Sequence, residues 1–233
     1  MLSIITINKD NLLGLQKTIH SLKSIDERDY QWVCIDSAST DGSVELANQF
    51  KIQDDVVISE KDSGIYNAMN KGIDLAKGDY VLFLNSGDTL SPQIKSLDFM
   101  KVVAGHDLAL FGFEIRNTQR KPRSNGWRFW SMPTSHQAIV YSNTLLKQNT
   151  FDESYRFAAD FEHYLRINRT HLSIYSDDMA LIVNEPYGSD AHLSKLLGEY
   201  RHALIKNGYP KLWAHFVYWL KTYYLKWALR ERS

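Results

Sequence analysis

The stretch GDYVLFLNSGD (residues 78–88) places an apolar run, 80–84, directly before a turn of small polar residues that ends in Asp88. A short apolar run bounded by turn residues is typical of a strand that is buried on both faces. In open parallel sheets, ligands bind beyond the carboxyl ends of the strands. The stretch therefore predicts either that Asp88 faces a ligand or that it caps the helix that follows.

The same pattern recurs through the first half of the chain. Apolar runs predict further strands at 2–7, 31–35, 56–59 and 108–113, and helical periodicity predicts helices at about 12–22, 42–50 and 65–76. Strands that alternate with helices form βαβ units with right-handed crossovers. We therefore expect an α/β fold whose central, mostly parallel sheet is flanked by helices.

Composition and charge narrow the class of protein. The 233 residues carry a formal net charge of +0, which gives no indication of a nucleic-acid partner. Cys34 is the single cysteine and lies in an apolar run, which predicts a reducing compartment. We recognise no secretory leader and no uninterrupted run of roughly 18 apolar residues, so we expect a cytoplasmic protein without a membrane span.

The loop after the first predicted strand excludes the two commonest nucleotide-binding motifs. Its sequence, TINKDNLLG, contains one glycine, Gly14, whereas a dinucleotide fold requires a glycine-rich fingerprint at this point. The chain also lacks the glycine-rich P-loop and its lysine. We therefore expect neither a nicotinamide-dependent oxidoreductase nor a P-loop enzyme.

Three successive strand ends each carry an aspartate: Asp36, Asp62 and Asp88. Ser, Thr and Asp residues at 39–41 can cap the next helix, which leaves Asp36 available to a ligand. The segment after Asp62 begins a helix whose N-terminus favours anions, and Asn70 and Lys71 lie in its first turns. Because parallel strands end at one edge of a sheet, the three acids predict a polar site there.

Four segments together resemble the family 2 glycosyltransferases of the GT-A fold: SIITINKDN (3–11), IDSASTDGS (35–43), SEKDSGIYNAMNKGI (59–73) and DYVLFLNSGD (79–88). The resemblance is closest to small bacterial enzymes of capsule, O-antigen and colanic-acid-type polysaccharide synthesis, and it is strongest in the N-terminal half. It implies a nucleotide-sugar donor, usually linked to UDP, and a divalent metal, Mn²⁺ or Mg²⁺. Such hard cations take oxygen ligands and neutralise a leaving diphosphate.

The resemblance also implies roles for individual residues. Asp36 would read the nucleotide base, and Asp88 would be the metal ligand of the family's DxD-type motif. Gly87 stands where the family often has an acid, so ligation would rest on Asp88, with Asn85 or a distant histidine such as His192 assisting. Lys9 stands where an aromatic residue often stacks on the base. The residues expected around the donor are Thr6, Lys9, Asp36, Asp62, Asn70, Lys71 and His136.

The second half is expected to hold the acceptor and the catalytic base. Asp160 and Glu162 lie at a helix start in SYRFAADFEHYLRI (154–167), where acids also simply complement the helix dipole. The segment resembles the family's second-half motif, in which Asp160 would be the base of an inverting transfer, with Glu162 as the fallback. In PTSHQAIVYS (133–142), His136 would contact donor sugar or acceptor. The segment GSDAHLS (188–194) would form a lid that brings His192 to the metal.

Two further segments suggest partners. The basic stretch NTQRKPRSNGWRFW (117–130) is either a solvated loop or an acceptor-side loop that meets phosphate. The last residues form an amphipathic helix with one aromatic face and flanking bases, which suits a membrane interface. The alternative is that this face packs on the catalytic domain or on a second subunit. We predict a catalytic domain over 1–208, divided into a nucleotide-sugar half (1–115) and an acceptor half (116–208), and a separate helix over 209–233.

The sequence therefore predicts a metal-dependent, inverting glycosyltransferase that extends a lipid-linked glycan at the cytoplasmic face of the membrane. A catalytically inactive subunit of a polysaccharide assembly complex is the alternative from another class, and the missing acid at Gly87 leaves it open. A sugar-phosphate nucleotidylyltransferase is a weaker alternative, because it requires a glycine-rich, arginine-containing loop after the first strand. The sequence NKDNLLG does not supply that loop.

Overall fold

The computed structural model describes residues 1–25, 28–186 and 193–230, with side chains described up to residue 225. Within these residues nine strands form one sheet in the order β3-β2-β1-β4-β8-β6-β9-β5, and β7 pairs with β6. The strands are β1 (Leu2–Asn8), β2 (Tyr30–Asp36), β3 (Val56–Ser59), β4 (Tyr80–Phe83), β5 (Thr89–Leu90), β6 (Leu108–Ile115), β7 (Thr118–Arg120), β8 (Ile139–Ser142) and β9 (Ile174–Asn184).

Helices cover both faces of this sheet. They are α1 (Leu12–Lys23), α2 (Ser43–Phe50), α3 (Ile65–Leu75), α4 (Met100–Val103), α5 (Asn143–Gln148), α6 (Ala159–Ile167), α7 (Leu193–Lys206) and α8 (Lys211–Arg230). Short 3-10 turns lie at Asn125–Trp127 and His136–Ala138. The five strands and three helices expected in the first half of the chain all form, and their ends differ from expectation by at most two residues.

The sheet has two halves of different construction. Strands β3, β2, β1 and β4 run parallel, as the βαβ pattern predicts. Beyond β4 the sheet is mixed: β8 is antiparallel to both β4 and β6, and β6 and β9 run parallel. The expectation of a mostly parallel sheet therefore holds for the first half only. Strand β8 reverses direction because it enters between β4 and β6 without the helical crossover that a parallel neighbour needs.

Strand side chains alternate between two cores. Ile5, Val33 and Phe83 pack on the face that carries α3 and α6, whereas Ile4 and Trp32 pack on the face that carries α1 and α2. A parallel sheet covered on both faces requires such continuous apolar strands. The two packed faces fix the carboxyl ends of β1, β2 and β4 at one edge.

The C-terminal helix is partly integrated into the first of these cores. Ala214 and Val217 are buried among residues of α6 and α7, although the sequence analysis assigns 209–233 to a separate segment. The other side of α8 is exposed, at Leu212, Phe216, Trp219 and Tyr223. One side of the helix therefore packs on the domain, as the second alternative predicts, and the exposed side leaves the membrane interface a prediction.

Lys221 is one of the bases that flank the aromatic face of α8. Its Nζ donates to the Trp130 carbonyl at 2.6 Å and lies 3.8 Å from the centre of the Tyr200 ring. The other two bases, Lys226 and Arg230, have side chains outside the described residues. Among the described residues, no helix is long and apolar enough to cross a bilayer.

Candidate active site

A cleft of about 1380 Å³ opens at the carboxyl edge of β1 and β4. Its other walls come from β6 and β7, from the segment 131–137, and from the starts of α3 and α6. Single residues of α7 and α8, Tyr200 and Tyr224, complete it. The expected site residues that line this cleft are Lys9, Asp62, Asp88, His136 and Asp160. Thr6, Asp36, Asn70, Lys71 and Glu162 are not among its lining residues, and His192 lies outside the described residues.

Asp88 is held at the cleft by one of its two oxygens. Its Oδ1 accepts hydrogen bonds from Asn184 Nδ2 at 3.0 Å and from the Glu185 amide at 2.8 Å. No described residue donates to Oδ2, although the side chain is largely buried. Burial raises the pKa of Asp88, these hydrogen bonds offset part of that rise, and the nearby Glu185 carboxylate raises it further. Asp88 therefore presents an acceptor oxygen in an environment that favours a bound cation.

Glu185 places a second carboxylate beside Asp88, where the sequence predicts only Asn85 or a distant histidine. It follows β9 directly, and a Cβ atom at residue 87 would overlap its carboxylate. Gly87 also has a φ of 104°, which a side chain would strain. The glycine that interrupts the family's acidic motif thus provides the space that Glu185 occupies. Lys17 Nζ lies 3.2 Å from Glu185 Oε1 and compensates part of the charge.

The donor set at this point fits Mg²⁺ or Mn²⁺. Such ions commonly take one or two protein carboxylates, and phosphates and water supply the other ligands. The buried Asn85 Oδ1 has no hydrogen-bond partner in the described chain and lines the same cleft, so it is a further oxygen ligand of the right kind. No group of three or more His, Cys, Asp and Glu residues forms a cation site among the described residues.

Asp36 is buried, and the protein itself occupies its acceptors. Oδ1 accepts from Asn8 Nδ2 at 2.8 Å and from Ser39 Oγ at 2.6 Å, and Oδ2 accepts from Ser59 Oγ at 2.7 Å and from the Ser39 amide at 2.8 Å. Burial alone would raise the pKa of Asp36, but these hydrogen bonds outweigh it and lower the pKa. Asn8 and Ser37 line the cleft instead. Asp36 therefore connects three strand-end loops, and Ser39 bonds to it rather than capping α2.

Three other residues that were expected to bind the nucleotide-sugar have hydrogen-bond or ion-pair partners within the protein instead. The hydroxyl of Thr6 is buried and accepts from Trp32 Nε1 at 2.9 Å. Asn70 fixes the segment before α6 through Phe151, donating to its carbonyl and accepting from its amide. Lys71 forms an ion pair with Glu60 at 2.5 Å. Asp62, by contrast, lines the cleft and accepts from the Gly64 amide at 3.0 Å.

Asp160 lies in the first turn of α6 and faces the cleft. Its Oδ1 accepts from the Tyr66 hydroxyl at 3.0 Å. Burial raises the pKa of Asp160, hydrogen bonds from Tyr66 and from the backbone offset part of that rise, and Glu199 raises it again. Glu199 also fixes the loop before α6, because its carboxylate accepts from three successive amides, those of residues 156–158. These features give a carboxylate of fixed position and raised basicity, as a general base requires.

Glu162 is wrongly placed to replace Asp160. Its side chain is fully buried and faces away from the cleft, where both carboxylate oxygens accept from Arg166 Nε at 3.2 Å. Lys206 and Asn207 approach the same carboxylate. The residue is only two positions from Asp160, but its contacts are those of a buried ion pair.

His136 lines the cleft from within an aromatic cluster. Its ring lies 4.9 Å from that of Phe83 and 5.5 Å from that of Phe151. Burial lowers its pKa to about 4, so the ring is neutral near pH 7. Its buried Nε2 has no partner in the described residues. A neutral imidazole can therefore offer one hydrogen bond to a ligand, without a charge.

Sequence reasoning missed several cleft residues. Glu185 carried a usable signal, because LIVNEP (181–186) ends an apolar run with Asn and an acid, as LFLNSGD (82–88) does. Tyr66 and Glu199 carried none, since their roles depend on contacts with residues about 94 and 41–43 positions away.

Comparison with known proteins agrees with this geometry. The profile of the family described as Glycosyl transferase family 2 matches residues 3–170. A PGL/p-HBAD biosynthesis glycosyltransferase of Mycobacterium bovis is 40% identical over 154 residues, which are 59% of this chain and 58% of that protein. The chain thus spans less than two thirds of that relative's length.

Two solved structures share the fold. S. aureus TarS 1–349 in complex with UDP-GlcNAc has a TM-score of 0.67 at 17% identity, covering 93% of this chain and 70% of that one. The mannosyltransferase PcManGT from Pyrobaculum calidifontis, in complex with GDP-Man and Mn²⁺, has a TM-score of 0.65 at 15% identity, covering 94% and 73%. They establish the GT-A fold. With the profile match over most of its length, the chain belongs to glycosyl transferase family 2.

Proposed function

We propose that this chain transfers a sugar from a UDP-sugar to a hydroxyl of a glycan acceptor, with inversion at the anomeric carbon. The observation that carries the proposal is the placement of two carboxylate sets in one cleft. Asp88 and Glu185 lie at the ends of β4 and β9, and Asp160 lies at the start of α6. The first set suits a cation on the diphosphate, and the second suits a base on the acceptor.

The leaving group is bound at the first set. Asp88 Oδ2, Glu185 and the buried Asn85 Oδ1 would hold Mn²⁺ or Mg²⁺. When bound, the ion neutralises the charge that develops on the departing diphosphate. The pairing of Asp88 Oδ1 with Asn184 and with the Glu185 amide fixes the direction of the carboxylate. Support for a metal also comes from the Mn²⁺ bound by PcManGT.

Asp160 performs the proton transfer. The acceptor oxygen bonds to the anomeric carbon while the bond from that carbon to the diphosphate oxygen breaks, and Asp160 takes the hydroxyl proton. A single displacement of this kind inverts the anomeric centre. The Tyr66 hydroxyl holds the carboxylate in place throughout. The raised pKa of Asp160 brings its basicity closer to that needed near neutral pH.

The nucleotide lies at the β1–β2 end of the cleft. Lys9, Ser37 and Asp62 line that end, and the hydrogen bonds that Asp36 accepts from Asn8 and Ser59 join the loops that carry them. Asp36 therefore acts on the nucleotide through Asn8 and Ser37 rather than through free carboxylate oxygens. The choice of UDP follows the donor bound by TarS.

We assign the acceptor to a lipid-linked glycan of bacterial surface polysaccharide synthesis, used at the inner face of the cell membrane. The relative from Mycobacterium bovis is named for PGL/p-HBAD biosynthesis, which supports a biosynthetic role for the transfer. The exposed aromatic side of α8 supports peripheral attachment, because Trp219 and Tyr223 stack there at 6.1 Å without covering from the described chain.

The test measures nucleotide binding and turnover separately. The purified chain is titrated with UDP, GDP, dTDP and CMP, each with and without Mn²⁺, and UDP with Mn²⁺ should bind most tightly. Asp88→Asn should remove the effect of Mn²⁺ on UDP affinity. Slow hydrolysis of a UDP-sugar should accompany binding, since water can replace the acceptor. Binding without any hydrolysis or transfer would instead identify an inactive subunit, and no nucleotide binding would reject the proposal.

A further inference from the structure

We propose that one wall of the cleft, formed by Arg120, Arg123 and Arg156 and named here the arginine wall, binds a phosphate group that the acceptor carries on an apolar chain. This inference rests on the proposed function, because it concerns the acceptor of that reaction. It assigns a binding site and a ligand chemistry to residues that the transfer reaction itself does not use.

The arginine wall has no carboxylate partner in the described chain. All three residues line the cleft, and none of them forms a salt bridge with a described residue. The neighbouring Lys121 differs, because it pairs with Asp178 at 2.5 Å. Arg123 Nη1 donates to Ser131 Oγ at 2.8 Å, which holds the guanidinium at the cleft surface. Guanidinium groups that line one cleft without an ion-pair partner are suited to a phosphate, which they bind through parallel N–H donors.

A fourth cation strengthens this charge. Lys221 of α8 is largely buried and contacts the Trp130 carbonyl and the Tyr200 ring rather than an acid. The pKa of Lys221 is lowered to about 8, mainly by burial and also by the charge of Arg123, and Asp160 offsets part of this shift. Lys221, Arg123 and Asp160 are therefore electrostatic neighbours. An anion at Arg123 would relieve the repulsion between the two cations.

Proximity to Asp160 indicates which substrate carries the phosphate. The diphosphate of the donor lies with Asp88 and Glu185, which follow β4 and β9 in the chain, whereas Arg156 lies four residues before Asp160. The arginine wall instead comes from β7, from the segment after it and from the loop before α6. Since Asp160 must reach the acceptor hydroxyl, an anion bound beside it belongs to the acceptor.

An aromatic path from the cleft indicates an apolar carrier. Tyr224 lines the cleft and lies 6.3 Å from Trp130 between ring centres. The preceding residue, Phe129, has its ring centre 5.6 Å from that of Trp213. The Trp213 ring centre in turn lies 5.7 Å from that of Phe216, on the exposed side of α8. Trp213 and Phe216 are 40% and 50% exposed. A phosphate at Arg123 therefore leaves an attached apolar chain beside a continuous aromatic surface.

The experiment uses farnesyl phosphate as the probe, with inorganic phosphate and farnesol as its two halves. Calorimetric titrations of the full chain are run below the micelle concentration, with and without saturating UDP and Mn²⁺. Farnesyl phosphate should bind at least tenfold more tightly than either half, and UDP should leave its affinity within threefold. The double variant R120Q/R123Q should weaken farnesyl phosphate at least tenfold and leave UDP affinity unchanged. Arg128→Gln, in the same loop but outside the cleft lining, is the matched control.

Several results would overturn the inference. Equal affinity of R120Q/R123Q and the wild type for farnesyl phosphate would remove the phosphate from the arginine wall. Equal affinity for inorganic phosphate and farnesyl phosphate would reject the apolar carrier. A parallel loss of UDP affinity in R120Q/R123Q would assign the wall to the donor. Failure of the wild type to bind UDP would reject the proposed function alone, because the farnesyl phosphate titration without UDP still tests the wall.

Discussion

The acids that follow β2 and β4, at one edge of the sheet, have opposite surroundings. At the β2 end, Asp36 accepts four hydrogen bonds from Asn8, Ser39 and Ser59, so its carboxylate is fully satisfied within the protein. At the β4 end, Asp88 uses one oxygen, and the Glu185 carboxylate lies beside it without neutralising it. The difference teaches that a strand-end acid marks a ligand site only where the fold leaves its acceptors unused. Asp36 therefore stabilises the loops, whereas Asp88 remains available to a bound cation.

The largest effect, on turnover, is expected from substitution of Asp160. The contrast between Asp36 and Asp88 indicates that carboxylates with unused acceptor oxygens act on the substrates. Asp160→Asn keeps the side-chain volume and removes the base, so turnover should fall by roughly 10²–10⁴-fold. UDP affinity should stay within a few-fold. The matched control is Glu162→Gln, two residues further along the same helix. It should lower the melting temperature and leave turnover nearly intact, since Glu162 is buried against Arg166. A fully active Asp160→Asn enzyme would contradict this assignment.

Gly87 tests whether Glu185 belongs to the metal site. An alanine there would overlap the Glu185 carboxylate and would also strain a φ of 104°. We expect Gly87→Ala to weaken Mn²⁺ by roughly 10–100-fold, the range typical when groups around a metal are displaced. Electron paramagnetic resonance of Mn²⁺ titrated into the protein measures this without turnover.

Gly105→Ala is the matched control for Gly87→Ala, because it introduces the backbone strain without displacing a carboxylate. Gly105 has a φ of 86°, but nothing lies within 4 Å of a Cβ built on it. It should therefore lose about 1–2 kcal/mol of stability from the left-handed conformation and bind Mn²⁺ normally. Unchanged Mn²⁺ affinity in Gly87→Ala would show that Glu185 does not bind the metal.

A matched pair of substitutions compares the two ends directly. Asp36→Asn leaves buried donors without an acceptor and should cost about 1–3 kcal/mol of unfolding free energy. Asp88→Asn should be neutral or stabilising in the absence of metal, because burial raises the pKa of Asp88 and makes its ionised form unfavourable. Urea unfolding in a chelating buffer measures both. Equal destabilisation by the two variants would abolish the distinction between the two ends.

The pH dependence of stability should differ in sign between these two acids. The pKa of Asp36 is lowered in the folded state, so its stabilisation exists above its unfolded pKa and is lost as the pH falls through the folded pKa. The pKa of Asp88 is raised, so its cost exists above the folded pKa and is relieved as the pH falls towards the unfolded value. Asp36→Asn should therefore flatten the acid limb of the stability profile, and Asp88→Asn should steepen it.

The sequence predicted the parallel half of the fold well, for a physical reason. In that half each apolar run is a strand buried on both faces, and each helix follows its strand in order, so local pattern and topology agree. In the second half, β8 is only four residues long, and the polar run SDD (176–178) interrupts β9 before its apolar part. Local pattern there does not state which strands pair or in which direction.

The candidate site was predictable only in part, for the same reason. The strand-end rule located Asp88 at the cleft, and the resemblance to the family located Asp160. The rule misplaced Asp36 in the cleft lining, because the hydroxyls of Ser39 and Ser59 meet only once three loops are assembled. It also missed Glu185, whose importance depends on the absence of a side chain at Gly87, on a strand end 98 positions earlier. Pairings between distant strand ends decide which acids remain unsatisfied.

The smallest effect, on liposome binding, is expected from substitutions on the exposed side of α8. An exposed residue of the parallel half provides the comparison. Trp219 is 62% exposed, and Leu13 on α1 is 71% exposed, so neither substitution to alanine should unfold the protein. Burial of a whole side chain of this size in lipid contributes about 1.5–3 kcal/mol, and Trp219 can gain only the part that is still exposed. Trp219→Ala should therefore weaken liposome binding by roughly three- to tenfold. Leu13→Ala should have no effect, because its helix shows no comparable aromatic surface.

Co-sedimentation with vesicles of phosphatidylglycerol and phosphatidylcholine measures both variants, and circular dichroism confirms that each remains folded. Increased salt should weaken binding in all variants equally if basic residues add an electrostatic contribution to the apolar one. Equal losses in Trp219→Ala and Leu13→Ala would indicate adsorption without a defined face. Unchanged sedimentation of Trp219→Ala would instead assign the exposed side of α8 to another subunit. Only a loss confined to Trp219→Ala places that side of the helix, next to the aromatic path from the cleft, on the membrane.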